Sequence, residues 1–135
     1  MGLIIDTNVF VYWERCGHNI DFSPWEDHGE AAISVVTASE LLVGVHRADS
    51  EARRQRRLAF VESILTQIPI RDFTIEVARV HAGLFATLTR QGQMIGAHDL
   101  MIAATARHDD CSVLTTNVVE FARVPDLDVI QLPAR

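Results

Sequence analysis

Short β-branched apolar runs alternate along this chain with longer stretches whose apolar residues return every three or four positions, the pattern of strands separated by helices. Residues 2–5 form the first run, closed by Asp6, and residues 8–15 follow with helical character, which predicts strand, tight turn, helix. Residues 31–36 are a second strand-like run, after which Thr37 opens a helix to about residue 47. An arginine-rich helix is predicted over about residues 50–65, then a short third strand at 68–70. Residues 74–90 read as a helix closed by Gly92, and residues 97–108 as another. A fourth strand at 112–115, a helical turn at 118–121 and a fifth strand at 129–132 complete the series. The alternation predicts one α/β domain, residues 1–135, with a mostly parallel sheet of about five strands covered on both faces.

In such a sheet the helix after a strand begins at the strand's carboxyl end. The helix before a strand begins there too, because it runs back to the opposite edge. Asp6 ends the first strand, Glu40 is expected in the first turn of the helix after the second, Asp99 opens the helix leading into the fourth, and Asn117 follows the fourth. All four are expected at one rim. Each also has a local explanation: Thr37-Ala38-Ser39-Glu40 matches a capping box, Asp99 complements a helix dipole, and Asp6-Thr7-Asn8 suits an Asx turn. Coincidence at one rim is what points to a site. Carboxylates gathered without a counterion repel, whereas Mg2+ or Mn2+ takes a few such oxygens and keeps several waters. An ion so held activates water and neutralises a scissile phosphate, so phosphodiester hydrolysis is the expected chemistry.

Charge sharpens this reading. A net charge of -6 argues against a nucleic-acid binder unless a cation mediates the contact, as it does at an acidic metal site. All 12 basic residues besides histidine are arginine, which excludes P-loop and Schiff-base chemistry, both of which need lysine. Cys16 and Cys111 have no paired spacing and are expected to be buried or idle thiols. No apolar stretch is long enough to span a bilayer and the first residues are strand-like, so a cytoplasmic protein without a membrane partner is expected. His98 beside Asp99 invites comparison with HD-type phosphohydrolases, but those are all-helical and need further histidine ligands. Haloacid dehalogenase-type phosphatases need a second aspartate where Asn8 stands. His18, His28, His46, His81 and His108 share no metal-ligand spacing and read as surface or capping residues.

Four blocks now carry a family resemblance: Leu3-Ile4-Ile5-Asp6-Thr7-Asn8; Ile33-Ser34-Val35-Val36-Thr37 leading to Glu40-Leu41; Ile95-Gly96-Ala97-His98-Asp99 with Ile102-Ala103-Ala104; and Thr115-Thr116-Asn117 with Glu120-Phe121 and Arg123-Val124. In this order, over nearly the whole chain, they resemble the PIN-domain family and, more narrowly, the VapC-type ribonuclease toxins of toxin-antitoxin pairs. The resemblance implies a three-layer α/β/α sandwich and a Mg2+-dependent endoribonuclease, with Mn2+ as a substitute and Asp6, Glu40 and Asp99 as catalytic residues and metal ligands. Many relatives carry a fourth acidic residue near Asn117, which here is an amide, so either Glu120 supplies that charge or a second ion is held weakly. Thr7 and Asn8 are expected to orient Asp6 or contact substrate phosphate, and the Thr37 hydroxyl to support Glu40.

Two surface features bear on partners. Arg53, Arg54, Arg56 and Arg57 cover a broad arc of the third helix, which buries Phe60, Val61 and Ile64; they read either as a solvated helix start or as a patch that guides RNA. Phe10, Val11, Tyr12 and Trp13, with Leu41, Leu42 and Val45, are first of all core residues. The resemblance adds a groove near these helices that receives a segment of a protein antitoxin, and a homodimer. A catalytically silent PIN-fold module that binds RNA or protein is the competing reading, raised by Asn117; intact Asp6, Glu40 and Asp99 count against it.

Overall fold

Leu3, Ile4 and Ile5 are all buried, as a strand must be when helices cover both faces of its sheet. The structure, a computed structural model, describes residues 1–17 and 19–132. Its elements are β1 (Leu3–Ile5), α1 (Thr7–Cys16), β2 (Ala31–Ser34), α2 (Val35–His46), α3 (Glu51–Gln67), β3 (Ile70–Arg71), α4 (Ile75–Gln91), α5 (Ala97–His108), β4 (Ser112–Thr115), α6 (Val118–Phe121) and β5 (Val129–Gln131). The strands form one sheet in the order β3-β2-β1-β4-β5, and every pairing is parallel, not merely most of them. Side chains alternate across it. Leu3, Ile5, Ile33 and Leu114 pack with α1, α2 and α3, while Ile4, Ala32 and Val113 pack with α4, α5 and Phe121 of α6. This is the three-layer α/β/α arrangement expected from the sequence.

The strand order has a functional consequence. From β1 the chain winds to β2 and β3 on one side, then returns to place β4 and β5 on the other. A crevice opens outside the carboxyl ends of β1 and β4, where the winding reverses. Asp6 and Thr115 flank it.

Several predicted boundaries shift. β2 stops at Ser34 and α2 begins at Val35, because the Ser34 hydroxyl accepts the Val36 amide at 3.0 Å and caps the helix. Thr37 therefore opens no helix, no Thr37-Glu40 capping box forms, and Glu40 lies in the second turn. The third strand is Ile70–Arg71, since α3 continues to Gln67 and Ile68 is its buried C-cap. α4 starts with a Thr74 cap and ends at Gly92, whose φ of 62° closes the helix in the left-handed region. A 3-10 segment, Ser23–His28, went unpredicted; Asp21 Oδ1 accepts the Ser23 amide at 3.0 Å and starts it. It brings Trp25 to Trp13, at 6.4 Å between ring centroids, beside a Trp13–Phe22 contact at 5.5 Å. The aromatic richness of α1 thus belongs to core packing: Phe10 and Trp13 are buried and Phe60 of α3 is half-buried against them. Cys16 is an exposed free thiol, past the last inward-facing residue of α1, and Cys111 a partly buried free thiol. His18 lies outside the described residues. No helix among the described residues is long and apolar enough to cross a membrane.

Candidate active site

β1 and β4 run in register, Ile5 opposite Leu114, and the Asp6 amide continues the ladder by donating to the Leu114 carbonyl at 2.9 Å. Asp6 and Thr115 are consequently neighbours at the strand ends, and the Thr115 hydroxyl donates to Asp6 Oδ2 at 2.8 Å. The same hydroxyl oxygen accepts the Asn117 amide at 2.8 Å. Asp6 is 1% exposed. Burial pushes its carboxyl up to about 6, against the lowering effect of Thr115, and the negative charge of Glu40 adds to the rise. Asp6 occupies the N-cap position of α1, where the backbone amides of Thr7 and Asn8 also favour its charged form.

Glu40 reaches the rim from α2. Thr7 Oγ1 donates to Glu40 Oε1 at 2.6 Å, and His98 Nδ1 lies 3.2 Å from Glu40 Oε2. Thr7 and Thr37 share a hydrogen bond at 3.1 Å in the buried layer beneath. The Thr7 hydroxyl therefore orients Glu40 while its backbone amide holds Asp6, and Thr37 supports Glu40 through Thr7. Asn8 is exposed, beyond the buried pair.

The third wall comes from α5 and α6. Asp99 stands in the first turn of α5, and burial raises its carboxyl to about 7, with the charges of Asp6, Glu120 and Glu40 adding to the rise and His98 opposing it. Glu120 Oε1 accepts the Gly96 amide at 2.5 Å and Oε2 accepts Asn117 Nδ2 at 2.8 Å. These donors, the backbone amide foremost, hold its carboxyl below the usual range, and a contact with Asp99 contributes. The two carboxyls are thus shifted in opposite directions, Asp99 upward and Glu120 downward. Gly96 leaves room for this: a Cβ there would lie 3.3 Å from Asp99 Oδ2 and 3.4 Å from Glu120 Oε1.

The predicted set is therefore brought to one rim. Asp6, Glu40, Asp99 and Glu120 are coupled electrostatically, and Asn117 serves as a donor to Glu120. Thr115 and His98 are members that sequence reasoning missed. Thr115 was legible only through the β1–β4 register, and His98 only through its position one residue before Asp99. The cluster is rich in hard oxygen donors, and no arginine pairs with Asp6, Glu40 or Asp99 among the described residues. That chemistry suits Mg2+ or Mn2+. Among the described residues no three His, Cys, Asp or Glu side chains close on one point as a preassembled metal centre; protein hydrogen bonds hold the carboxylates instead. An open cavity of about 300 Å3, lined by Glu40, Gly96, Ala97, His98 and Asp99, gives access from solvent.

Comparison with known proteins identifies the family and the fold. The PIN domain model matches residues 3–127. Ribonuclease VapC1 of Rickettsia felis is 38% identical over 135 residues, covering 100% of this chain and 99% of that protein. The tRNA(fMet)-specific endonuclease VapC of Shigella flexneri is 35% identical over 131 residues, covering 94% and 95%. Among solved structures, VapBC2 of Rickettsia felis bound to a DNA fragment from its promoter superposes with a TM-score of 0.84 at 26% identity, covering 98% of this chain and 100% of that one. Sequence and fold agree from end to end, and the chain belongs to the PIN-domain family, among the VapC ribonucleases.

Proposed function

We propose that this protein is the toxin of a type II toxin-antitoxin pair, an endoribonuclease that hydrolyses RNA phosphodiester bonds with Mg2+, or Mn2+ in its place. The observation that carries this reading is the convergence of Asp6, Glu40, Asp99 and Glu120 at the β1/β4 switch point, with no arginine among the described residues paired to the first three. A bound divalent ion would supply a polarised water and neutralise charge on the scissile phosphate. Asp6, Glu40 and Asp99 would hold it, with Glu120 as the fourth carboxylate. Asp6 is fixed for this by Thr115, and Glu40 by Thr7 and His98. Asp99 would join the ion as a charged carboxylate, while Asn117 and the Gly96 amide keep Glu120 at the rim.

The Shigella flexneri relative named for tRNA(fMet) supports an RNA substrate, and the VapBC assemblies support a cognate protein antitoxin. The groove of about 190 Å3 lined by Phe10, Val11, Glu40, Leu41, Gly44 and Val61 is where the antitoxin segment is proposed to lie. A homodimer, acting in the cytoplasm, completes the reading. The test is cleavage of single-stranded or looped RNA by purified protein: it is expected with Mg2+ or Mn2+ and is expected to stop on chelation. Cleavage that persists in chelator refutes the mechanism, and no cleavage with either ion leaves the protein a silent PIN-fold binder.

A further inference from the structure

The first two turns of α3 carry Arg53, Arg54, Arg56 and Arg57, and their surroundings separate these four arginines. Asp49 accepts Arg53 Nη1 through both carboxylate oxygens at 2.9 Å, and Glu51 accepts Arg54 at 2.5 Å. Arg57 lies 3.4 Å from Glu14 of α1 and donates to the Gly44 carbonyl of α2 at 3.0 Å, so it ties three helices together. Arg56 of α3 and Arg15 of α1 are exposed and pair with no carboxylate among the described residues. In a chain of net charge -6 these two are uncompensated positive charges facing one concavity. It measures about 700 Å3 and is lined by Glu14, Arg15, Arg53, Arg56, Arg57 and Phe60.

This concavity is continuous with the acidic rim. Glu14, Arg15, Arg57 and Phe60 also line the neighbouring groove, which Thr7 and Glu40 of the rim line as well. We propose that the concavity seats the phosphate backbone of single-stranded RNA flanking the bond cleaved at the rim. The inference rests on the proposed ribonuclease reading and adds to it where the flanking strand runs. Planar guanidinium groups match phosphate oxygens in pairs, and the half-buried Phe60 ring offers an apolar floor beside them. A polyanion explains both ends of the track, because its phosphates meet arginine at one end and a cation-loaded acidic rim at the other. An acidic peptide explains only the first.

The test compares wild type with Arg15→Gln/Arg56→Gln, both exposed positions outside the rim. A labelled long oligouridylate is bound in chelator over a salt series, and cleavage of that strand and of a dinucleotide is measured separately in Mg2+. A phosphate contact on a single strand contributes about 0.7 to the log-log salt slope, so the double variant is expected to lose about 1.4. KM for the long strand is expected to rise several-fold with kcat unchanged and dinucleotide cleavage unaffected, while Arg15→Lys/Arg56→Lys restores most of the slope. Arg56→Gln alone, expected to lose about half as much slope, serves if the double variant misfolds. An unchanged slope and KM in variants that cleave normally overturns the inference and leaves the nuclease reading intact, as does retained RNA affinity with loss of binding to an acidic antitoxin peptide. Wild-type RNA binding with the expected slope loss, but no cleavage in either ion, upholds the surface and refutes the nuclease reading; wild type that binds no RNA overturns the surface.

Discussion

Asp6 and Asp99 are the residues whose environment most opposes their charge. Burial is the main cause for both, and it raises Asp6 to about 6 and Asp99 to about 7 from an ordinary 3.8. An acid raised on folding favours the folded state below its unfolded pKa, and this contribution is lost as pH rises through the folded value. Metal-free protein is therefore expected to melt progressively lower between about pH 4 and pH 7, and Asp6→Asn to flatten that decline. The gain for Asp6→Asn at neutral pH should be on the order of 2–3 kcal/mol, from a shift of about two units. Asp99 is only partly buried, so solvent screens its share and Asp99→Asn should gain less. Mg2+ should close both gaps, since it stabilises only the intact site. Melting curves across pH in chelator check this; a wild type that gains stability from pH 4 to 7 contradicts it. Glu120 and Asn117 admit a separate prediction, because both Glu120 oxygens are already engaged at the rim. Glu120→Gln should raise the Mg2+ concentration needed for half-maximal cleavage and Asn117→Asp should lower it, and identical titrations for the three proteins would place neither side chain at the ion.

At the scale of elements, the start of α2 decides where Glu40 points. Ser34 is fully buried and its hydroxyl holds the Val36 amide. Ser34→Ala is expected to cost about 1 kcal/mol, read as a lower denaturant midpoint, and to weaken metal binding through Glu40. An unchanged midpoint would mean that the cap contributes nothing. This junction also shows where the sequence misleads. Val35 and Val36 are β-branched and extend the apolar run of β2, so they read as strand, and Thr37 with Glu40 imitates a capping box three residues too late. Glu40 still reaches the rim, because a helix of either length begins at the carboxyl end of β2. The alternation of elements, the rim and three of its carboxylates were legible in this way. The Thr115–Asp6 bond was not, because it depends on the register of strands more than a hundred residues apart. Nor was the Ser23–His28 turn, whose proline and tryptophan follow neither helical nor strand spacing.

At the scale of the whole molecule, the all-parallel sheet concentrates negative charge at one crevice while arginines of α1 and α3 border the groove that leads away from it. The account depends on the crevice being one cation site and not four carboxylates with separate structural tasks. Uptake of Mn2+ by the purified protein, followed as the loss of the free-ion signal in electron paramagnetic resonance, tests that claim most directly. Wild type is expected to bind Mn2+ at neutral pH, and Asp6→Asn and Asp99→Asn to weaken binding by about tenfold or more while circular dichroism stays native. Equal Mn2+ uptake by wild type and both folded variants would contradict the account.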